Sequence, residues 1–346
     1  MQLAGLEQTL LVHRSTYVRE LRQHLAPETY EPARSRLLFI PAHLAVIAAA
    51  SCAIAGGWIP YPLVPVLSLL IGASFAGLTF VGHETIHGGI VRGRTARWIV
   101  GWICFLPFTL SPRLWAAWHD RVHHANANLN EDPDMYPTLA EYHASGRIRF
   151  LIGAFSLGGR RWRGVLSLVL GFTVQSTHQL WTARRRGFLE PRAFAIAVAE
   201  TLASVAIWAA VAVLVGFVPF VFVFVVPLLV ANAIVMAFIL TNHNLSPRVE
   251  INDPLVSGLS VSAPAWVEWL TLRFGYHVEH HLLPAVSSRH AGAVRELLRT
   301  LWPGRYQSMP LGAALRELHR TARVYKDATT LVDPRTGREF PTLMPR

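Results

Sequence analysis

Two long stretches of this chain carry no charged side chain, and they decide what class of protein it is. Residues 37–82 and residues 201–247 contain no Asp, Glu, Lys or Arg. A helix that crosses a bilayer needs about 20 apolar residues, so each stretch can hold two crossings joined by a tight turn. Two prolines interrupt the first stretch near its middle, and Gly216 with Pro219 interrupts the second. The sequence therefore predicts an all-α integral membrane protein with four transmembrane helices in two hairpins.

The hairpins divide the chain into five parts of a single membrane domain that occupies residues 1–346. We expect an N-terminal segment, a first hairpin, a central segment, a second hairpin and a C-terminal part at residues 1–36, 37–82, 83–192, 193–242 and 243–346. The N-terminal segment places Leu6, Leu10, Tyr17 and Leu21 at loosely helical spacing, which favours an amphipathic helix on the membrane surface.

Two shorter apolar stretches test this topology. Residues 98–112 are too few for a crossing and contain two prolines, which favours an interfacial or re-entrant segment. Residues 164–183 are long enough, but five consecutive polar residues interrupt them. If either stretch crossed the membrane alone, the histidine-rich segments described below would be split between its two faces.

The distribution of positive charge predicts the orientation. All 32 Lys and Arg residues lie outside the two hairpins, and neither hairpin turn contains one. Under the positive-inside rule, both termini and the central segment are expected in the cytoplasm. A net charge of +11 also fits contact with anionic lipid, so we do not expect nucleic acid as a partner. Cys52 and Cys104 both lie in apolar segments, which excludes a disulfide scaffold and fits reducing surroundings.

Histidines are concentrated in three short motifs. HETIH at residues 83–87, HDRVHH at 119–124 and HVEHH at 277–281 together hold 8 of the 16 histidines. An even distribution would place fewer than one histidine in so few positions. Because each hairpin returns the chain to its starting side, all three motifs, together with His243 at the end of the second hairpin, are expected on one face of the membrane. Such convergence predicts a metal site.

The spacing within each motif predicts which imidazoles share a metal ion. In an α-helix, residues i and i+4 lie about 5 to 6 Å apart at Cβ, so His119 with His123 should bind one ion. The same spacing pairs His83 with His87 and His277 with His281, while His124 and His280 diverge towards a second ion. A single tetrahedral site needs only four ligands, so this many imidazoles predict two metal ions. Ligand type alone leaves iron, copper, zinc and nickel open.

HETIH also fits a different class of enzyme. In the pattern H-E-x-x-H, two histidines hold zinc and the glutamate activates water, so Glu84 keeps a membrane zinc protease as a remote alternative. That interpretation leaves the other motif histidines without a role.

The three motifs together resemble the histidine boxes of the membrane-bound fatty acid desaturase superfamily, and FGYHVEHHLLP is similar to the third box of its acyl-lipid and sphingolipid members. The resemblance implies a cytoplasmic helical cap that holds two iron ions, with O2 as co-substrate and an acyl chain as the site of a new double bond. The metal ligands that it implies are His83, His87, His119, His123, His124, His243, His277, His280 and His281. All-nitrogen ligation is reasonable chemistry, because a thiolate ligand would itself be oxidised.

Polar neighbours of the motifs are candidates to orient the ligands. Asp120, Asp132, Asp134 and Glu279 are placed to accept the outer N–H of an imidazole. Asn242 and Asn244 flank His243 and are candidates to hold a water molecule at the metal, although Ile239 replaces the asparagine that the family commonly has one turn earlier. Four aromatic residues are candidates to line an acyl tunnel: Trp115, Trp118, Phe274 and Tyr276.

The resemblance also implies partners and an alternative reaction. Two electrons per turnover must come from a donor of the ferredoxin or cytochrome b5 type, and we expect a separate protein because 36 residues before the first hairpin hold no haem domain. The substrate is an acyl group carried on a lipid or as an acyl thioester. Related enzymes hydroxylate or ketolate lipids and carotenoids, and the spacing of the boxes does not separate those reactions from desaturation.

Overall fold

The computed structural model describes residues 11–156, 158 and 162–345, and helices dominate it. Its helices are α1 Arg14–His24, α2 Phe39–Ala55, α3 Val64–Ile86, α4 Arg94–Phe105, α5 Pro112–Asn126, α6 Leu139–Ala144, α7 Gly146–Phe155, α8 Val165–Thr182, α9 Pro191–Val215, α10 Phe217–His243, α11 Pro254–Ser257, α12 Ala265–Leu270, α13 His277–Leu282, α14 Ala291–Leu301 and α15 Leu311–Arg320. Short 3-10 turns lie at Pro27–Tyr30, Arg34–Leu38, Tyr61–Leu63, Leu106–Phe108, Trp162–Gly164 and Ser288–His290.

Short strands are confined to the C-terminal part among the described residues. Strands β1 Ser260–Ser262 and β2 Ser308–Pro310 pair in parallel. Strands β3 Val324–Tyr325, β4 Thr330–Val332 and β5 Glu339–Pro341 form a small antiparallel sheet in that order. The all-α prediction is confirmed for the bulk of the molecule. The short strands lie only between residues 260 and 341 of the described chain.

The two predicted hairpins are present. Among the described residues, four helical stretches are long and apolar enough to cross a membrane: Pro27–Ala55, Tyr61–Ile86, Pro191–Val215 and Phe217–His243. Gly57, with φ of +64°, and Gly216, with φ of +81°, occupy the turns, where the left-handed backbone favours glycine. Pro219 lies in the first turn of α10, where its missing N–H costs no helical hydrogen bond.

The helices of each hairpin differ in their surroundings. In the most apolar part of α3, 67% of the residues are buried, and in α10 44% are, against 11% for the first crossing stretch and 6% for α9. Helices α3 and α10 pack against each other, while α2 packs on α3 and α8 packs on α10. The two inner helices are therefore fixed by protein contacts, and they are the two that end in histidines.

The two shorter apolar stretches do not form straight crossings. Helix α4 with its following 3-10 turn meets α5 at 99°, consistent with the predicted re-entrant or interfacial segment. Thr109, with φ of +51°, stands in the break, and the Ser111 hydroxyl caps the start of α5 by accepting from the backbone N–H groups of Arg113 and Leu114. Helix α8 covers most of residues 164–183 and is not among the four apolar stretches.

The predicted surface position of the N-terminal helix is wrong for the residues that the structure describes. Tyr17 and Leu21 of α1 are almost fully buried, and they pack with Val278 and Leu282 of α13 rather than against lipid. The Arg14 guanidinium donates to the carbonyl oxygen of Leu282. Leu6 and Leu10 lie outside the described residues. Helical spacing predicts an apolar face but not what covers that face. Here the helix that carries the third histidine motif covers it.

Candidate metal centre

The end of α3 carries the first pair of histidines. His83 is in the last turn of the helix and His87 caps it, so the two imidazoles leave one face with ring centroids 4.7 Å apart. Both side chains are buried. The glutamate between them points elsewhere: Glu84 accepts hydrogen bonds from the hydroxyls of Ser287 and Ser288 and from the backbone N–H of Ser288.

The second motif lies on a π-helical turn, Ala116–His123, within α5. In such a turn each N–H bonds to the carbonyl five residues back, and the N–H of His124 does so to His119. Residues five apart therefore share a face, and Nε2 of His119 lies 3.3 Å from Nε2 of His124. The predicted pairing of His119 with His123 assumed α-helical spacing. The π-helical turn also brings His119 to His124, while His119 and His123 still lie within 4.8 Å of each other in a group with Asp134.

The remaining histidines come from α10 and α13. His243 ends α10, one of the inner membrane helices, and its Nε2 lies 3.1 Å from Nε2 of His281. His277 and His281 lie one turn apart on α13, with ring centroids 4.4 Å apart. His280 points to the other side, where its Nε2 is 3.1 Å from Nε2 of His124.

All nine predicted histidines converge, and they form two groups of mutually close nitrogens. Within each group the candidate ligand atoms lie within 4.8 Å of one another. The first histidine group is His83, His87, His119, His124 and His280. The second histidine group is His123, His243, His277 and His281. His119 and His123, with Asp134, also lie close together where the two groups meet.

Burial keeps the three imidazoles of α13 in the form that binds metal. Burial lowers the pKa values of His277, His280 and His281 well below 6.5, and neighbouring histidines lower them further. These rings are therefore neutral near pH 7, with a lone pair free on one nitrogen. His123 differs: burial alone would lower its pKa, but the adjacent Asp132 carboxylate outweighs burial and raises it to about 9.

Three histidines have a partner for the ring nitrogen that faces away from its group. Nδ1 of His87 lies 3.0 Å from Oδ1 of Asp120, and Nδ1 of His123 lies 2.9 Å from Oδ1 of Asp132. Nδ1 of His243 lies 2.9 Å from the carbonyl oxygen of Ser257, a partner that sequence reasoning missed because a backbone carbonyl has no sequence signature. Such contacts fix the tautomer and direct Nε2 towards the metal position.

Other predicted neighbours are placed differently. Asp134 lies 3.7 Å from His123 and instead accepts from Nε1 of Trp118 and the amide of Gln175. Glu279 was expected to accept from an imidazole, but Arg295, Tyr306 and Ser260 donate to it. A guanidinium beside this buried carboxylate is a stronger donor than an imidazole, so Glu279 anchors α13 to α14 rather than orienting a ligand.

The two asparagines beside His243 differ in whether their side chains reach the cavity next to the histidines. Asn244 lines the large cavity described below. The Asn242 side chain is fully buried, and neither its Oδ1 nor its Nδ2 has a partner among the described residues. The role predicted for both asparagines, holding a water molecule at the metal, stays a prediction.

A cavity of about 360 Å³ opens onto both histidine groups. Its walls include His119 of the first group and His123, His243 and His277 of the second. Apolar side chains from α7, α8 and α10 continue the cavity away from the histidines, and the exposed pair Arg147 and His178 also borders it. Its size falls in the range of small-molecule pockets. The predicted tunnel residues Trp115, Trp118 and Phe274 line it.

Tyr276 is the exception among the predicted tunnel residues. Its hydroxyl donates to Glu268, and the Arg295 guanidinium stacks 3.3 Å from its ring centroid. It borders a separate pocket of about 40 Å³ instead of the large cavity. The arginine fixes this ring on the outer side of α13.

The donor set suits a pair of metal ions. Nδ1 of His87 is taken by Asp120, which leaves Nε2 buried with no partner among the described residues. Nδ1 of His124 and of His281 is likewise buried without a partner there. Buried polar atoms are normally satisfied, and a set of imidazoles with short contacts between their nitrogens is what a bound cation would complete.

Residues 56–312 match the sequence profile of the fatty acid desaturase family, and that match covers well over half of the chain. The chain belongs to the fatty acid desaturase family. The resemblance predicted from the three histidine motifs is thus confirmed. The matched region contains all nine histidines and three of the four apolar helical stretches, since Pro27–Ala55 precedes it.

Named relatives show how far the similarity extends. The chain is 23% identical over 281 residues to a chloroplastic omega-6 fatty acid desaturase of Spinacia oleracea, covering 77% of this chain and 60% of that protein. It is 26% identical over 255 residues to an sn-1 oleoyl-lipid 12-desaturase of Anabaena variabilis, covering 70% and 71%. It is 33% identical over 111 residues to the dihydrorhizobitoxine desaturase of Bradyrhizobium elkanii, covering 32% and 30%. This family member therefore spans about 60% of the length of the chloroplastic relative.

Proposed function

We propose that this desaturase-family chain removes two hydrogens from neighbouring methylene groups of a fatty-acyl chain, with O2 as oxidant. Two electrons from a donor protein, two protons and the two substrate hydrogens together reduce one O2 to two water molecules, so atoms and electrons balance. The observation that supports this most is the shared cavity: one apolar space reaches histidines of both groups, so an acyl chain in it lies beside both.

The nine histidines would hold two iron ions, one in each histidine group. When bound, the iron pair supplies the activation of O2 that an unactivated C–H bond requires. The protein holds the ligands with Asp120, Asp132 and the Ser257 carbonyl, and it excludes bulk water by burying the rings. Trp115, Trp118 and Phe274 would keep the substrate chain close to the histidines.

The relatives support an acyl lipid as the substrate class. The chloroplastic relative is named for omega-6 desaturation, and the Anabaena relative for desaturation of an oleoyl lipid. Arg147 and His178 at the border of the cavity are polar groups suited to the head or ester end of such a substrate. We therefore propose an acyl lipid ahead of an acyl thioester.

We propose that the histidine groups and both ends of the chain face the cytoplasm. Support comes from the arginines: the segments beyond the histidine ends of α3 and α10 are rich in them, while both hairpin turns lack them. A cysteine introduced at exposed Arg185 should react with a membrane-impermeant maleimide only in opened cells. Labelling of intact cells there would contradict this orientation.

We also propose that the electrons come from a separate acidic protein of the ferredoxin or cytochrome b5 type. The net charge of +11 favours encounter with such a donor. Rates of reduction that fall with increasing salt would support this inference, whereas rates independent of ionic strength would contradict it.

The decisive experiment is expression in a host whose lipids are then analysed by mass spectrometry, with growth under isotopically labelled O2. A new double bond without added oxygen supports desaturation. Label retained in the product would assign the same site to the hydroxylase or ketolase class. His123→Ala should abolish the product, and His143→Ala, which alters an exposed histidine outside both groups, should not.

A further inference from the structure

A second cavity, of about 650 Å³, borders another face of α5. It shares no lining residue with the cavity of about 360 Å³ beside the histidine groups. It opens between α4, α5 and the start of α9. Asp120, which contacts His87, is on its wall, but no histidine of either group lines it.

Arginine dominates the walls of this cavity. Two acidic residues, Asp120 and Glu190, are on its walls. Five arginines line it: Arg94, Arg97, Arg113, Arg121 and Arg192. Asp120 already accepts from His87, a contact that occupies one of its oxygens. The walls therefore carry an excess of positive charge, which is unfavourable in a shared concave space unless an anion enters it.

Several of these guanidinium groups have donors to spare. Arg113 pairs with Glu200, and Arg121 donates to the carbonyl oxygen of Phe188. Arg97 donates through Nη1 to the carbonyl oxygen of Ile86, but its Nε is buried without a partner among the described residues. Within that same part of the chain, Arg94 and Arg192 form no ion pair with an acidic side chain.

The cavity lies beside the ends of two helices that are long and apolar enough to cross a membrane. Ile86, on its wall, ends the crossing helix α3, and the α9 crossing begins at Pro191 beside Glu190 and Arg192. Just beyond the cavity, α4 and α9 present exposed apolar side chains, with Ile99 56% and Leu202 61% exposed. Trp98, also on the wall, is a residue type that prefers the interface between lipid and water.

We propose that this cavity binds the phosphate head group of an anionic phospholipid, whose acyl chains lie along the apolar sides of α4 and α9. Arginine binds phosphate oxygens through paired N–H donors, and basic pockets at the cytoplasmic ends of membrane helices suit such head groups. An acidic protein fits less well, because the opening is concave and lies beside lipid-facing side chains. This inference does not depend on the desaturase reaction.

The test uses the full-length protein purified in a neutral detergent, with its thermal unfolding midpoint measured as lipid is added. Phosphatidylglycerol should raise the midpoint more than phosphatidylcholine. The double variant R94Q/R192Q, which changes two exposed arginines of the cavity, should weaken the apparent affinity for phosphatidylglycerol by about tenfold or more. The matched control R185Q/R316Q removes the same charge from exposed positions outside the cavity and should behave as wild type.

Each other outcome overturns the proposal. Equal stabilisation by phosphatidylcholine would show that binding does not require a negatively charged head group. An equal loss of affinity for phosphatidylglycerol in the control variant would show that the lipid is attracted by overall charge and not by this cavity. Stabilisation by inorganic phosphate alone to the same extent would assign the cavity to a free anion. If R94Q/R192Q fails to fold, native mass spectrometry of R94Q alone should still show fewer retained phosphatidylglycerol molecules than the wild type; unchanged retention would contradict the site.

Discussion

Nε2 of His119 lies 3.3 Å from Nε2 of His124, although the two histidines are five positions apart in the chain. A regular α-helix directs residues five apart to different sides. The π-helical turn Ala116–His123 brings them together, and the same turn sends His123 towards His243 and His281. One short helix thereby contributes to both histidine groups.

His123→Ala and His124→Ala should each disturb a different metal ion. Each substitution removes one ligand from one group only, so the iron content of either purified variant is expected to fall from a pair towards a single ion per chain. The two variants should leave different ions behind, with different Mössbauer spectra. Full iron content in both variants, or identical residual spectra, would contradict the assignment to two groups. His143→Ala serves as the control.

Asp132→Asn should weaken the second histidine group without removing a ligand. Asn keeps the size of the side chain but loses the charge that attracts the Nδ1 proton of His123. Loss of such a partner typically lowers metal affinity or activity by about 10- to 100-fold. Competition with a chelator would measure the affinity. Glu250→Gln, at an exposed acidic position, is the control, and an affinity equal to that of wild type would count against the role of Asp132.

Gly171→Leu should shorten the acyl chain that the enzyme accepts. Gly171 lines the large cavity, and the three atoms nearest to an added Cβ belong to the Met236 side chain, with its terminal Cε closest at 2.8 Å. This flexible side chain can shift, so the leucine can extend into the cavity. Iron content should stay unchanged while the product profile moves towards shorter chains. Gly153→Leu, where an added Cβ meets nothing within 4 Å, is the matched control. The same product profile in both variants would show that this cavity does not hold the acyl chain.

Glu84→Gln separates the desaturase from the zinc protease interpretation of HETIH. Glu84 is buried and accepts from Ser287 and Ser288, so Gln, which also offers an oxygen, should retain the fold at a cost of about 1–3 kcal/mol in the free energy of unfolding. Desaturation and iron content should persist in the folded variant. Complete loss of turnover with intact iron would show that Glu84 takes part in the chemistry.

The sequence predicts the parts of this protein that depend on local pattern. Charge-free length reveals the four membrane helices, and the spacing of prolines and glycines locates their turns. The nine histidines are recognisable because their clustering is improbable by chance. Each of these features depends on residues that are close together in the sequence, so it can be predicted without knowledge of distant contacts.

What the sequence does not predict depends on distant contacts or on backbone irregularity. A rule that assumes α-helical spacing pairs His119 with His123 and cannot predict the π-helical turn, which also brings His119 to His124. Glu279 stands inside HVEHH, but Arg295 and Tyr306, which take its oxygens, are 16 and 27 residues away. Burial of Tyr17 and Leu21 likewise follows from contacts made with α13, more than 250 residues later.

Helix α13 contributes to both histidine groups, His280 to one and His277 with His281 to the other. Under the proposed assignment of one ion to each group, neither ligand set is complete on the ribosome before this helix has emerged, by which time both hairpins have been translated. Uptake of the full complement of metal is consequently expected late in biogenesis.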